Sequence, residues 1–352
     1  MRNTKIQWCD DTCNPVMGCE GCELWASQNQ ICRKIAELLA ATLHIQTSGV
    51  SATVKATADL FADLPRKDLI ANTVREIARQ RGLPEKQAEE IIAEVKGTLL
   101  KCYAGNVTSI RQGWHSGYPA TFEQPTCFPG RMAKAAAASD LHETERAEKP
   151  WLNGLPRLIF VSDMGDALSS TIPFEYLREE IISVAVSPNG LRHDWLWLTK
   201  RPRRMAEFSR WLSRRGVAWP NNLMAMTSVT SQRTLGRVEQ LQRVNCRMRG
   251  LSVEPLWTPV TLPLEGIDWV IVGGESGKGA EPFHLEWASD IREQCQRAGV
   301  AFFLKQLGRR PSCNGVALEL DNLHGGDWIE WPEDLRVREM PQAFRGEFAV
   351  AA

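Results

Sequence analysis

The sequence has no surplus of either charge: Lys and Arg together number 42, Asp and Glu number 42, and the formal net charge of the 352 residues is zero. Without a global positive field a chain does not adhere non-specifically to nucleic acid or anionic lipid, so any such contact has to be local. No apolar run approaches the roughly 18 residues of a membrane span, and the opening MRNTKIQWCDD has no apolar core of signal-peptide length. These absences give the expectation of a soluble, cytoplasmic protein that touches no membrane. Two nucleotide signatures are also missing. GGESGKG lacks the G-x-G-x-x-G spacing of a dinucleotide fingerprint, and Gly277-Lys278-Gly279 does not complete the G-x-x-x-x-G-K-[ST] of a phosphate loop.

What is present is an apolar fraction of 43%, too high for a mostly disordered chain and sufficient for one large α/β domain with insertions, or two domains. Ten cysteines in an intracellular-looking chain read as thiols or metal ligands, because the cytosol keeps thiols reduced. Cys246, Cys295 and Cys313 lie on core-like segments and read as small buried apolar residues.

Residues 5–9, KIQWC, read as a short strand, and Asp10 to Pro15 as turn chemistry that brings Cys19 and Cys22 to its carboxyl end. Residues 1–22 are thus a first strand with a cysteine loop. Residues 23–101 break the pattern with about four helical stretches, Pro84 standing near the start of the last, and form a helical insertion. Residues 102–310 are the main β/α part, with a long Gly- and Pro-rich loop at 105–150 that carries Trp114, His115, Tyr118, Phe122 and Phe128. His115 has no partner at ligand spacing and reads as a loop histidine. Residues 311–352, with their Trp-rich DNLHGGDWIEWPEDL, read as a packing tail.

From residue 157 apolar runs of strand length end in polar residues: RLIFVSDMGD, DWLWLTKRP, NLMAMTSVT, RGLSVEPL, DWVIVGGESG and VAFFLKQLG. Continuous apolar strands alternating with helices predict a parallel array covered on both faces, an α/β fold of partial (β/α) barrel type. Its carboxyl rim then collects Ser162, Asp163, Asp166, Thr199, Lys200, Arg201, Thr227, Ser228, Glu254, Gly273, Gly274, Glu275, Ser276, Lys305 and Gln306. Polar residues are expected at strand ends, but the repetition of acids and lysines exceeds what solvation needs, and this rim is where such folds keep their sites. Gly273 and Gly274 permit close backbone approach of a ligand, and Glu275 can accept from a ribose hydroxyl or an amine. Arg201, Arg203, Arg204, Arg210, Arg214 and Arg215, interleaved with Phe208 and Trp211, suit a phosphate backbone; a basic outer helix with Trp211 turned inward is the plainer reading.

Cys19-x-x-Cys22 leaves a metal site incomplete. A third thiol, Cys102, followed by Tyr103 and delivered by the insertion, gives a three-cysteine site. Three thiolates on a 4Fe-4S cluster leave one iron open, which is where the amine and carboxylate of S-adenosylmethionine (SAM) bind in radical-SAM chemistry. Cys13 and Cys32 stand in reserve for the third position, and Cys9, Cys13, Cys19 and Cys22 as a closed zinc site in a non-enzymatic binding protein form a rival reading.

NPVMGC, the later Cys22, CYA, IFVSDMGD, WLWLTKRP, LSVEPL, WVIVGGESG and FFLKQLG, in this order, resemble a family of bacteriophage radical-SAM proteins. The common C-x-x-x-C-x-x-C is not here, and the third cysteine is displaced by the insertion. The resemblance implies a partial TIM-like barrel binding a 4Fe-4S cluster on Cys19, Cys22 and Cys102, together with SAM. It implies the isomerases of thymidine hypermodification in particular, which convert 5-Nα-glycinylthymidine to 5-Cα-glycinylthymidine through a 5′-deoxyadenosyl radical. Expected partners are modified thymidine in phage DNA, an electron donor and other hypermodification enzymes, in the host cytoplasm. In that reading Asp163 and Asp166 receive the methionyl ammonium, and Thr199, Lys200, Ser228 and Glu254, with Ser162 and Gly273 to Glu275 on the same rim, serve SAM. Lys305 and Gln306 act on the glycyl carboxylate or pyrimidine edge. A repair lyase-like radical-SAM enzyme shares the cofactors and differs in substrate.

Overall fold

The six apolar runs and a short Asp-Thr-Cys segment before them pair side by side into one parallel sheet: β1 (Asp11–Cys13), β2 (Arg157–Val161), β3 (His193–Thr199), β4 (Leu223–Ser228), β5 (Arg249–Val253), β6 (Trp269–Gly273) and β7 (Ala301–Gln306). The computed structural model describes residues 3–111, 117–277 and 279–344, so Trp114, His115 and Lys278 lie outside the described residues. Spatial order follows chain order, with Asp11 opposite Ile159, Ile159 opposite Trp195, Trp195 opposite Leu223, and so on to Phe303 opposite Ile271. Parallel strands that each sit beside their chain predecessor are the pattern of a barrel sector, not of a doubly wound sheet, and the sheet curls into a half-barrel.

Backbone contacts divide the chain into two compact units, Met1–Val16 with Cys127–Ala352, and Met17–Thr126. In the sheet unit the strand period of two sorts side chains between two cores. Ile159, Val161, Trp195, Trp197, Val270, Val272, Phe302 and Leu304 pack outward with the helices, among them Pro202–Ser213 and Leu285–Ala298. Leu158, Phe160, Leu196, Met224, Met226, Trp269, Ile271 and Phe303 fill the concave face, joined there by Trp8, Met340 and Phe344. The Pro202–Ser213 helix buries Met205, Phe208, Trp211 and Leu212, while Arg203 and Arg210 face solvent, so the basic outer helix with Trp211 inward is the observed arrangement. No helix stands between β5 and β6.

Residues 5–9, expected as the first strand, are not one. Trp8 and Cys9 plug the concave core, Trp8 lying 4.6 Å from the Phe160 ring, and the Lys149 ammonium takes the carbonyls of Thr4, Ile6 and Cys9, each at 2.7 Å. Side-chain donors thus do the work of a ladder, and the strand starts at Asp11. Two buried ion pairs hold that start in place: Arg146 with Asp10 at 2.8 Å and Arg157 with Asp11 at 2.7 Å.

In the other unit the helices are Gln28–Leu43, Ser48–Asp59, Arg66–Arg81, Glu85–Leu99 and Tyr103–Arg111. Ser27 and Gln30 form a capping box at the first, Pro84 immediately precedes Glu85, and Ile31, Ile35, Leu39, Val54, Val74, Ile77 and Val95 are fully buried. Among the described residues no helix is long and apolar enough to cross a membrane.

Asp194, next to the amino end of β3, is 3% exposed, and burial pushes its carboxyl from the ordinary 3.8 up to about 7, opposed by Arg247. The folded state therefore binds the proton more tightly than the unfolded chain. Stability falls as pH rises from about 4 to about 7, and the full penalty remains above that. Asp194→Asn is expected to raise stability by up to about 4 kcal/mol at pH 8 and to change it little near pH 4, measured by urea unfolding across that range.

Candidate functional site

The carboxyl ends of β2 and β3 are built around two carboxylates. Ser162, which ends β2, takes φ 75°, a left-handed conformation rare for a residue with a side chain, and its buried Oγ has no partner among the described residues. The turn sets Asp163 beside Asn14, whose side-chain amide donates to the Asp163 carboxylate while its oxygen accepts from the Met164 N–H at 2.8 Å. Burial raises the Asp163 pKa, and the Asn14 bond opposes the rise. Asp166 is committed inside the protein: it accepts from the Thr199 hydroxyl at 2.8 Å, the Leu168 N–H at 3.0 Å and the Lys200 N–H at 3.0 Å. Thr199 in turn accepts from the Arg201 N–H at 2.8 Å, and its carbonyl takes the Thr227 hydroxyl at 2.8 Å. Asp166, Thr199 and Thr227 thus lock three neighbouring strand ends together.

The ends of β5, β6 and β7 form a second group. Lys305 Nζ pairs with Glu254 Oε1 at 2.9 Å, and Ser252 donates to Glu254 Oε2 at 3.3 Å. Gln306 donates to the Gly274 carbonyl at 2.9 Å, and Glu275 accepts from Trp257 Nε1 at 3.3 Å and the Glu281 N–H at 3.1 Å. The two glycines, expected to admit a ligand, are required by the protein itself. A Cβ at Gly273 would meet Glu254 Oε1 at 2.8 Å, and one at Gly274 would meet the Leu307 carbonyl at 2.2 Å. Ser228 is buried, and its carbonyl accepts from Arg237 at 3.1 Å.

In the helical unit the cysteine loop is shaped by glycine and a tryptophan. Gly18 and Gly21 have φ of 91° and 124°, and a Cβ would strike the Phe122 and Trp25 carbonyls at 2.7 and 2.8 Å. Cys22 and Trp25 form an isolated antiparallel bridge, as do Trp25 and Leu100, and the Cys102 N–H donates to the Leu24 carbonyl at 2.8 Å. The third cysteine therefore arrives two residues beyond Cys22 in space, though the helices lie between them in sequence. The Gly21 N–H reaches Cys19 Sγ at 3.4 Å and the Leu24 N–H reaches Cys22 Sγ at 3.4 Å. Arg66, missed in the sequence because it lies mid-insertion, donates to the Glu20 carbonyl at 2.9 Å. Burial lowers its pKa, while Glu123, Cys19 and Cys22 act in the opposite direction. By chemical type, three thiols, two on this loop and one on the segment hydrogen-bonded beside it, are donors that a soft metal centre takes. Among the described residues no three or more His, Cys, Asp or Glu side chains are already grouped to hold a metal ion.

Cys9 and Cys13 are of another kind. Both are buried in the sheet unit, where desolvation raises the Cys9 thiol far above its usual range and pushes Cys13 up to about 12. Burial also raises Cys32 and Cys127.

Residues 94–332, more than half of the chain, match the family described as Protein of unknown function (DUF5131), and the chain belongs to that family. The matched span holds Cys102 and β2 to β7, while Cys19 and Cys22 precede it. No curated protein and no solved structure gives a significant match.

The Glu254 and Lys305 side chains are 13% and 24% exposed, which makes their pairing partly desolvated. A double-mutant cycle with Glu254→Gln and Lys305→Met, followed by urea unfolding, is expected to give a coupling of about 1–3 kcal/mol. A coupling below about 0.3 kcal/mol would mean that the pair does not hold the rim.

Proposed function

We propose that this chain is a radical-SAM enzyme, with a 4Fe-4S cluster on Cys19, Cys22 and Cys102 and SAM at the polar rim of the half-barrel. The observation that carries the reading is the bond from the Cys102 N–H to the Leu24 carbonyl, which sets a sequence-distant third thiol against a C-x-x-C loop. Parallel strands in barrel order, with carboxylates, hydroxyls and a lysine at their carboxyl ends, support it. Cys19, Cys22 and Cys102 would hold the cluster, and one-electron reductive cleavage of SAM is the chemistry it would supply.

The chain's own contribution is binding and orientation. Asp163, held by Asn14, is the rim carboxylate suited to an ammonium, whereas Asp166 is engaged with Thr199 and orients the strand ends. Glu254 and Lys305 offer a matched acceptor and donor for ribose hydroxyls or a carboxylate once their mutual contact opens. For the substrate we propose 5-Nα-glycinylthymidine in phage DNA, rearranged to 5-Cα-glycinylthymidine; the support is the ordered set of motifs that resemble the thymidine hypermodification isomerases. The host cytoplasm and an electron donor belong to the same proposal. The closed zinc reading is weakened by the packing of Cys9 and Cys13 into different hydrophobic cores of the sheet unit.

The test is anaerobic reconstitution with iron and sulfide, followed by iron content and 5′-deoxyadenosine release from SAM under a reductant. Wild type is expected to hold about four irons per chain and cleave SAM, Cys102→Ala to lose both, and Cys32→Ala to keep both. Asp163→Asn is expected to keep its iron and bind SAM about tenfold more weakly, the loss of one charged hydrogen bond. Wild type that holds only zinc and leaves SAM intact would overturn the reading. DNA carrying 5-Nα-glycinylthymidine, incubated with the reconstituted enzyme, is expected to yield the isobaric carbon-linked nucleoside by mass spectrometry.

A further inference from the structure

The sheet unit carries a cavity of about 350 Å³ beyond the ends of β3 and β4, and five of its nine lining residues are cationic. Lys200, Arg201 and Arg203 line it from the segment after β3, and Arg233 and Arg237 from the segment after β4, with no Asp or Glu among the lining residues. We propose that this cavity is a phosphate-binding site for a nucleic-acid strand or a nucleotide.

The concentration of charge is not inherited from the chain as a whole, whose formal net charge is zero. A phosphate offers several acceptor oxygens and up to two negative charges, which cationic groups on two neighbouring segments can engage together. Several guanidinium groups, which present paired N–H donors, favour the multiple oxygens of a phosphate over a single carboxylate. The walls are also held in place. Arg237 donates to the Ser228 carbonyl at 3.1 Å, the Thr234 hydroxyl closes its turn on the Ser231 carbonyl at 2.8 Å, and the Lys200 N–H is fixed on Asp166 at 3.0 Å. Glu207 reaches Arg203 at 3.2 Å from outside the lining. Of the arginines clustered after β3, only Arg201 and Arg203 belong to the cavity. Arg204 lies 4.6 Å over Phe174, and Arg215 3.9 Å over Trp211.

This inference deepens the proposed function, because a modified base in DNA brings phosphates with it. It is tested by binding alone, so that it and the radical-SAM reading can fail separately. The full chain, without reconstitution, is titrated into a fluorescently labelled single-stranded oligothymidylate, and anisotropy is followed from about 50 to 200 mM salt. Arg203 and Arg233 are both exposed, so Arg203→Glu/Arg233→Glu leaves the core intact, and Arg203→Gln/Arg233→Gln serves as a milder version. Arg210→Glu/Arg214→Glu, also exposed and outside the cavity, makes the same change in net charge. The cavity pair is expected to weaken strand binding at least about tenfold and to flatten the salt slope by about 1.4, the share of two phosphate contacts, while the control pair stays within about threefold.

Competition by thymidine monophosphate at concentrations like those of the strand would identify a nucleotide phosphate as the ligand. Competition by strands alone would identify the backbone, and both outcomes uphold the site. Absence of binding by wild type, or equal losses in the cavity and control pairs, would overturn it.

Discussion

The half-barrel depends on two buried ion pairs at its first strand. β1 is only three residues long, too short to hold its place by ladder bonds alone. Asp10 compensates with its side chain: the carboxylate accepts Arg146 Nε at 2.8 Å and Nη2 at 3.2 Å, and also the Leu158 N–H at 2.9 Å, as a further strand residue would. Arg146 in turn reaches the Leu152, Leu155 and Pro156 carbonyls at 2.6, 3.1 and 3.0 Å. Buried charge is tolerable only when paired and fully hydrogen-bonded, and breaking such a pair typically costs about 3–5 kcal/mol. The segment that carries Asn14, and with it the Asp163 carboxylate, is therefore fixed by charges at the opposite end of β1.

That fixation gives the rim two different halves. Around Asp166 the polar groups answer one another: hydroxyl, carboxylate and amides form a closed set that joins β2, β3 and β4, and little donor capacity is left for a ligand. Around Glu254 the set is smaller, an ion pair backed by one serine. Asp163 lies between these extremes. Its burial disfavours the charged form, so an ammonium at that place would gain more from it than from a solvated carboxylate. The Asp166 half is thus locked by mutual hydrogen bonds, and the Glu254 half is held by one ion pair and one serine.

The strands from β2 to β7 were legible because short continuous apolar runs, buried on both faces and alternating with helical stretches, leave little room for another reading, and the insertion was legible from its 3.6-residue periodicity and Pro84. KIQWC was misread for a physical reason. A Trp-Cys pair flanked by polar residues satisfies a strand pattern equally well when it plugs the barrel, and only the distant Lys149 and Arg146 decide between the two. Asp10 and Asp11 looked like turn residues because their arginine partners lie 136 and 146 residues away. Gly273 and Gly274 signalled close approach correctly, but the approaching groups are Glu254 and Leu307 of the protein itself. The arginine run after β3 resolved into the plainer of its two readings, a helix that buries Phe208 and Trp211 and turns Arg203 and Arg210 to solvent.

The displaced third cysteine follows from how the insertion is closed. The Ala26 N–H donates to the Leu99 carbonyl at 3.1 Å, Trp25 bridges Leu100, and the Cys102 N–H returns to Leu24, so the two ends of the insertion meet as a short antiparallel staple. Gly105 completes it, since a Cβ there would meet the Trp25 ring at 2.6 Å. Once a loop's ends are fixed together, its length adds only slowly to the entropy of closure, about 0.6 kcal/mol for each doubling. The helices from Gln28 to Leu99 can therefore lengthen or shorten without moving Cys102 relative to Cys22, provided the staple and its tryptophan remain. Spacing along the chain is then a poor guide to proximity in the fold: the Cys102 N–H meets the segment just beyond Cys22 although the helices intervene in sequence.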